Sequence, residues 1–414
     1  MSEYLSLEVL APAGDMERFN AAILFGADAV YLGAKSMGMR SSPSNFTFEQ
    51  LGEACSKAHS LGKKVYLTCN TLPSNSEIDS FEGFIKQVYE CGTDAAIVTD
   101  IGVFSLIKKY VPDLEIHVST QAGIVNYASA NAFYNMGAKR VVLARELSID
   151  DIAEIRAKTP KELDIECFVH GAMCMSFSGR CLLSQYLVNR DANRGECAQP
   201  CRWKYYLMEE KRPGEYFPVF ENDKGSYILN AKDMCMIEHL DKLAKAGVTS
   251  FKIEGRAKSA YYVSVITNAY RCAVDILKSN PDNYALPEWL HEEVYKVSHR
   301  QYSCGFYFGR PEKSQYYETS GYVRNYDVVA IIDECRDGRH LFGRLYCTQR
   351  NRFFKGDELE ILAPGEEPVK LTASQIVNEA GESVDVANIA TMKFSMPCEK
   401  VFPSGSIIRK NLNI

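Results

Sequence analysis

From Leu7 to about residue 255, short apolar runs alternate with segments in which apolar residues recur every three or four positions. The runs are Leu7–Pro12, Asp28–Ala34, Lys63–Cys69, Ala95–Asp100, Glu115–Thr120, Arg140–Arg145, Asp164–His170 and Ser250–Glu254. Each is too short for a helix and rich in apolar residues, so each is predicted to be a buried strand. The amphipathic segments between them predict helices. In Asp15–Phe25, Asp15 is placed to cap the helix, Phe19, Ala22 and Ile23 share one face, and Gly26 stands where a left-handed C-cap belongs. Strand followed by helix, eight times over, predicts an α/β fold, a (β/α)8 TIM-like barrel. A doubly wound sheet is the competing architecture, but no G-x-G-x-x-G follows the first strand.

Residues 204–232 read as a strand-rich excursion, with turn signals at Arg212-Pro213-Gly214 and Asp223-Lys224-Gly225. Asp233–Ala246 reads as the delayed helix before the last strand, and residues 258–279 as a long amphipathic helix closing the barrel. A connector follows, with a short helix near Pro287–Ser298 and the aromatic residues Tyr302, Phe306, Tyr307 and Phe308. From Asp327 the texture changes to short alternating segments divided by Gly, Asn and Pro, which predicts a small all-β barrel of about six strands. The expected domains are 1–280, the barrel with a Cys-rich insertion at 171–232; 281–326, the connector; and 327–414, the β domain.

Composition narrows the class. With 46% hydrophobic and 24% charged residues in 414, the chain can bury two or three cores. No apolar run approaches the ~18–20 residues of a membrane span, and the first residues do not form a secretory signal. Fourteen cysteines then point to a reducing, cytoplasmic setting and to thiol or metal chemistry. A net charge of −6 argues against a generally basic nucleic-acid binder. Locally the balance differs: Arg336, Arg339, Arg344, Arg350, Arg352 and Lys355 face one acid, Asp337, giving an edge for a nucleic-acid backbone or a merely solvated face.

The chemistry concentrates in Glu166–Trp203, ECFVHGAMCMSFSGRCLLSQYLVNRDANRGECAQPCRW. Cys174, Cys181, Cys197 and Cys201 lie there as C-x6-C-x15-C-x3-C, punctuated by Gly171, Gly179, Gly195 and Pro200. Thiolates on such irregular backbone can converge on one point, as a zinc or iron–sulfur site requires. Zinc sites usually pair two short knuckles, and one C-x3-C beside a C-x6-C tilts toward a cluster. The bland alternative is four buried small hydrophobes, and ten other cysteines scattered singly show how common those are here. This stretch begins after the seventh strand, on the barrel face where active sites collect. Asn70, Asp100, Gln121, Arg145, Glu146, His170, Glu254 and Arg256 share that face. Guanidiniums at Arg145 and Arg256 suit a carboxylate or phosphate, or pair with neighbouring acids. Asn70 and Gln121 can hydrogen-bond a substrate or cap loops. Arg180, Arg190, Arg194, Arg202 and Lys204 add a local basic excess. Hydrolase signatures are missing: there is no G-x-S-x-G, and His291-Glu292-Glu293-Val294-Tyr295 has Tyr where a zinc motif needs its second His. His170 and Cys174 make a poor Cys–His dyad if Cys174 binds metal.

These residues carry a resemblance. LAPAGD (Leu10–Asp15), GADAVYLG (Gly26–Gly33), ECFVHGAMCMSFSGRCLLS (Glu166–Ser184), RDANRGECAQPCRW and KIEGR resemble the collagenase-like peptidase family U32 over nearly the whole chain. The resemblance implies more than the family's name, since its better understood members are nucleic-acid and quinone hydroxylation factors. The quinone proteins hold an iron–sulfur cluster on four cysteines that map to Cys174, Cys181, Cys197 and Cys201. Length and the single C-terminal β domain make the chain similar to the tRNA-hydroxylating branch. That likeness implies O2-independent conversion of the wobble uridine to 5-hydroxyuridine, with tRNA and prephenate as partners and a cluster, [4Fe-4S] in kind, as cofactor. Arg145 and Arg256 are then expected at the prephenate carboxylates, Gln121 and Asn70 at the substrate, and His170 and Glu254 as acid–base groups. The competing classes are a peptidase on collagen-like substrates and a non-catalytic iron–sulfur protein that binds RNA or a partner enzyme.

Overall fold

Eight parallel strands are hydrogen-bonded in chain order: β1 (Glu8–Pro12), β2 (Ala29–Leu32), β3 (Lys64–Cys69), β4 (Ala95–Val98), β5 (Glu115–Val118), β6 (Arg140–Val142), β7 (Asp164–Ala172) and β8 (Ser250–Ile253). β8 pairs with both β7 and β1, so the sheet closes into the expected barrel. The computed structural model describes residues 7–35, 45–174, 181–191, 196–203, 206–207, 217–218, 232–309, 323–336 and 343–412. β2 and β4 are buried at every position, as strands covered on both faces must be. The first helix, Met16–Leu24, buries Phe19, Ala22 and Ile23, and Gly26 follows with φ +96°, the left-handed stop its sequence predicts.

The barrel interior is half apolar and half ionic. Leu10, Ala29, Tyr31, Tyr66, Ala95 and Ile97 form an apolar cluster. Beside it, Arg140 Nη1 donates to Glu8 Oε1 at 2.6 Å and to Glu166 Oε2 at 3.1 Å, and Lys252 Nζ donates to Glu166 Oε1 at 2.6 Å. Two carboxylates thus meet two cations inside the barrel, and mutual pairing offsets their desolvation. Burial would raise the Glu8 carboxyl, but Arg140 and hydrogen bonds from Tyr66 and Ser250 outweigh it and bring the group down to about 2.

Two features depart from expectation. Asp233–Cys235 is a strand, antiparallel to β7, where the start of a helix was expected; the helix proper is Leu240–Lys245. β7 runs past the barrel to Ala172, and Asp233–Cys235 fills the edge this extension exposes. The C-terminal strands form an eight-stranded antiparallel sheet whose edge strands, Val369–Thr372 and Ser383–Val384, do not pair with each other among the described residues. This is the expected small all-β domain, a half-barrel whose sheet has eight strands where the sequence predicts about six. Most of the 204–232 excursion lies outside the described residues; within it, Tyr206–Leu207 pairs with Phe217–Pro218.

The chain divides into two compact units. One comprises Met1–Met16, Asp28–Arg256 and Arg300–Tyr322, and the other Glu17–Ala27, Ala257–His299 and Val323–Ile414. The second has a core that includes Val329, Ile332, Leu345, Phe353, Phe394 and Ile408. Its own buried ion cluster centres on Arg409, which is fully buried and donates to Glu293 at 2.6 and 2.7 Å and to Glu360 Oε2 at 2.8 Å. Among the described residues no helix is long and apolar enough to cross a membrane.

Candidate active site

The ends of β7 and β8 build the barrel mouth. Their register shifts between Lys252, opposite Phe168, and Ile253, opposite His170. Beyond the shift, Glu254 N–H donates to the His170 carbonyl at 2.9 Å. Gly171 has φ +109°, and a Cβ there would lie 2.5 Å from the Glu254 carbonyl oxygen, so glycine is required for the two backbones to meet.

Arg145, after β6, is 9% exposed. Its guanidinium lies 3.7 Å from the centre of the Phe168 ring, Nη1 donates to the Ala172 carbonyl at 2.7 Å, and Nη2 is 3.8 Å from Glu254 Oε2. Arg145 therefore grips the backbone two residues before Cys174 while facing a mouth carboxylate. Glu254 Oε2 is also 3.5 Å from the Tyr31 hydroxyl, which donates to the Ile253 carbonyl at 2.9 Å. Below, Lys252 Nζ sits 4.6 Å from the centre of the Tyr31 ring. Half-buried Arg256 donates from Nη1 to Thr68 Oγ1 at 2.8 Å. The structure thus joins Arg145 to Glu254 and places Arg256 against β3.

His170 is buried, with Nε2 3.3 Å from the hydroxyl of half-buried Tyr302. Thr99 Oγ1 donates to the Asn70 carbonyl at 3.0 Å and lies 3.4 Å from Gln121 Oε1, bringing the ends of β3, β4 and β5 together. Asp100 serves the fold, since its side chain accepts from Val103 N at 2.9 Å and caps helix Ile101–Tyr110. Glu146 is half-buried beside Arg145. Sequence reasoning missed Tyr31, Thr68, Phe168 and Tyr302. Thr68 was findable, because it precedes Asn70 by two and so shares its face of β3.

Two sets of cysteines differ chemically. Burial pushes the thiols of Cys55 and Cys69 up to about 12 and that of Cys272 to about 11, so these pack as neutral side chains. Cys174 and Cys197 are exposed, and Cys181 and Cys201 are half-buried. Gln199 N–H donates to Cys197 Sγ at 3.3 Å, a bond suited to a metal-bound thiolate. Ala198 N–H donates to the buried Ser184 Oγ at 3.0 Å, tying the chain near Cys197 to helix Leu183–Val188, which follows Cys181. In kind and number these donors fit an iron–sulfur cluster. Among the described residues, no three His, Cys, Asp or Glu side chains gather closely enough to hold a metal.

The basic edge of the second unit is less bare than its sequence implies. Arg336 bonds Glu334 at 2.9 Å through both Nε and Nη2, Arg344 donates to Ser395 at 2.9 Å, and Arg350 and Lys355 lie 3.9 Å from Glu17 and Asp385. Glu17, on the first helix, and Asp385, beside the strand that pairs with Phe353–Phe354, are acids from elsewhere in the chain. Arg339, Arg180, Arg194 and Lys204 lie outside the described residues.

The chain was compared with known proteins. It is 35% identical over 407 residues to tRNA hydroxylation protein P1 of Bacillus subtilis, covering 97% of this chain and 94% of that protein. It is 36% identical over 421 residues to tRNA hydroxylation protein P of Escherichia coli, covering 92% and 91%. A protein named collagenase, from Porphyromonas gingivalis, is 32% identical over 420 residues and 97% of each chain. Residues 14–316 match the model of peptidase family U32, and residues 324–409 that of the family's C-terminal domain. With both parts matched in order, the chain belongs to peptidase family U32.

Proposed function

We propose that this protein is an RNA-modifying enzyme that hydroxylates the wobble uridine of tRNA to 5-hydroxyuridine without O2, with prephenate as both hydroxyl donor and two-electron acceptor. Its C–O bond breaks as the uridine C5–O bond forms, and the displaced uridine hydrogen balances the reduced carbon. What carries the reading is end-to-end likeness, through the barrel and the C-terminal domain, to relatives named for tRNA hydroxylation. The mouth offers suitable groups. Arg256 and Arg145 bind the two carboxylates of prephenate, with the Arg145 guanidinium 3.7 Å from the centre of the Phe168 ring. Glu254, between Arg145 and Tyr31, accepts or returns a proton at its Oε2. Buried His170 exchanges a proton with solvent through Tyr302. Asn70 and Gln121 orient the uracil ring. Cys174, Cys181, Cys197 and Cys201 would hold an iron–sulfur cluster, which supplies redox or Lewis-acid chemistry beside the mouth. A tRNA substrate places the work in the cytoplasm.

The test is nucleoside mass spectrometry of total tRNA from a strain lacking the gene. The expected result is loss of 5-hydroxyuridine derivatives, restored by the wild-type gene and not by Arg256→Ala or Cys174→Ala. An unchanged nucleoside profile in the deletion strain would contradict the proposal. The likeness to a collagenase keeps peptide hydrolysis as a second reading. Gelatin cleavage that persists with all four cysteines changed to alanine would favour it.

A further inference from the structure

Thr68 and Gly33 are two of the neighbours that hold Arg256. Thr68 donates its hydroxyl to the Leu32 carbonyl at 3.0 Å and accepts from Arg256 Nη1 at 2.8 Å, so one hydroxyl ties the guanidinium to the end of β2. Gly33 comes next in the chain. A Cβ built there would lie 3.2 Å from Arg256 Nη1 and 3.3 Å from both Asn45 Oδ1 and Thr68 Oγ1, closer than side-chain carbons ordinarily come. The space of the missing methyl is what lets the guanidinium lie across β2. Asn45 is buried, and its amide nitrogen donates to the Ala34 carbonyl at 3.3 Å, which turns Oδ1 toward the same space. An arginine free in solvent samples many rotamers, and this one is restrained by a hydroxyl and a glycine.

We propose that Thr68 and Gly33 are positioning residues that aim Arg256 at one carboxylate of a dicarboxylate co-substrate, an inference that rests on the co-substrate reading above. The geometry separates their contributions. Thr68 acts through a hydroxyl that donates and accepts at once, so valine keeps the shape and loses both bonds. Gly33 acts through absence, so alanine displaces the guanidinium by a few tenths of an ångström and valine by more.

The experiment is calorimetric titration of prephenate into the full-length, iron-loaded protein, with KM and kcat measured beside it. Thr68→Val is expected to weaken prephenate binding and raise its KM about tenfold, with kcat changed by less than about twofold. Thr68→Ser, which keeps the hydroxyl, restores most of the affinity, and Gly33→Ala raises KM by a smaller factor. Thermal unfolding of each variant identifies any that fails to fold. Wild-type affinity in Thr68→Val, or equal loss in Thr68→Ser and Thr68→Val, overturns the inference, the latter by making Thr68 a packing residue. If the wild-type protein does not bind prephenate, the co-substrate reading falls and this inference with it. Binding that Thr68→Val leaves intact removes this inference alone.

Discussion

The barrel mouth and the cysteine segment that leaves it are built on opposite terms. In the barrel and at Arg145 above it, charged side chains are buried and already paired: Glu166 is fully buried between Arg140 and Lys252, and Arg145 has an aromatic ring, a carbonyl and a carboxylate around it. In the segment, Tyr186 is 80% exposed, Cys174 and Cys197 are exposed, and a six-residue helix is the longest regular element among the described residues. The barrel can hold its geometry with nothing bound, because its own contacts fix it. The described residues of the segment are more exposed, and a metal group bound there, as proposed above, would add to their stability, since metal-binding free energy serves as folding free energy in such segments. The chain thus keeps its paired positioning groups in the barrel and the thiols proposed for a cluster in a more exposed segment.

The sharpest way to break this contrast is to remove a charge from the barrel. Arg140→Met leaves Glu8 and Glu166 buried without their shared partner and is expected to cost about 3–5 kcal/mol in urea unfolding. A loss below about 1 kcal/mol would show that the barrel does not depend on this pairing. Arg145→Ala is next: losing the ring contact and the Ala172 bond should cost about 2 kcal/mol and abolish tRNA hydroxylation.

Acid offers a test without mutation of the site. Burial first, and Arg140 next, hold the His117 imidazole below its ordinary value, while Glu115, Glu166 and Glu8 pull the other way. The unfolded chain takes up a proton near 6.5 that the folded barrel refuses, so stability is complete above that pH and declines below it. The slope is at most about 1.4 kcal/mol per pH unit and should flatten in His117→Gln. Glu8 adds a second decline, from its unfolded value of 4.5 down toward about 2. The smallest effect is expected in the segment: Cys181→Ala in iron-free protein should change unfolding by less than about 0.5 kcal/mol while preventing iron uptake. A large loss there would mean that the thiol packs in the metal-free fold.

The same contrast explains what the sequence made legible. Strands such as β2 and β4 could be located because a strand buried on both faces is a continuous apolar run, and the others because short apolar-rich runs alternate with helical segments. Asp233–Cys235 could not, because its strand state is imposed by the overhang of β7 and not by its own pattern. Arg145 and Arg256 were recognisable as mouth residues from their places at strand ends. That one lies on Phe168 and the other on Thr68 depends on which strands become neighbours. The run from Arg336 to Lys355 looked bare for the same reason, since Glu17 and Asp385 reach it only through the fold. The cysteine set is proposed from spacing, which needs no tertiary information, and among the described residues no three such donors gather closely enough to hold a metal.

The central claim is that the positioned mouth and the thiol segment together hydroxylate tRNA. Its most direct test incubates purified, iron-loaded protein with unmodified tRNA and prephenate in the absence of O2, followed by digestion and quantification of 5-hydroxyuridine. The account predicts product with the wild-type protein, none without prephenate, and none with Cys174→Ala. Undiminished product from a protein lacking all four segment cysteines would contradict it.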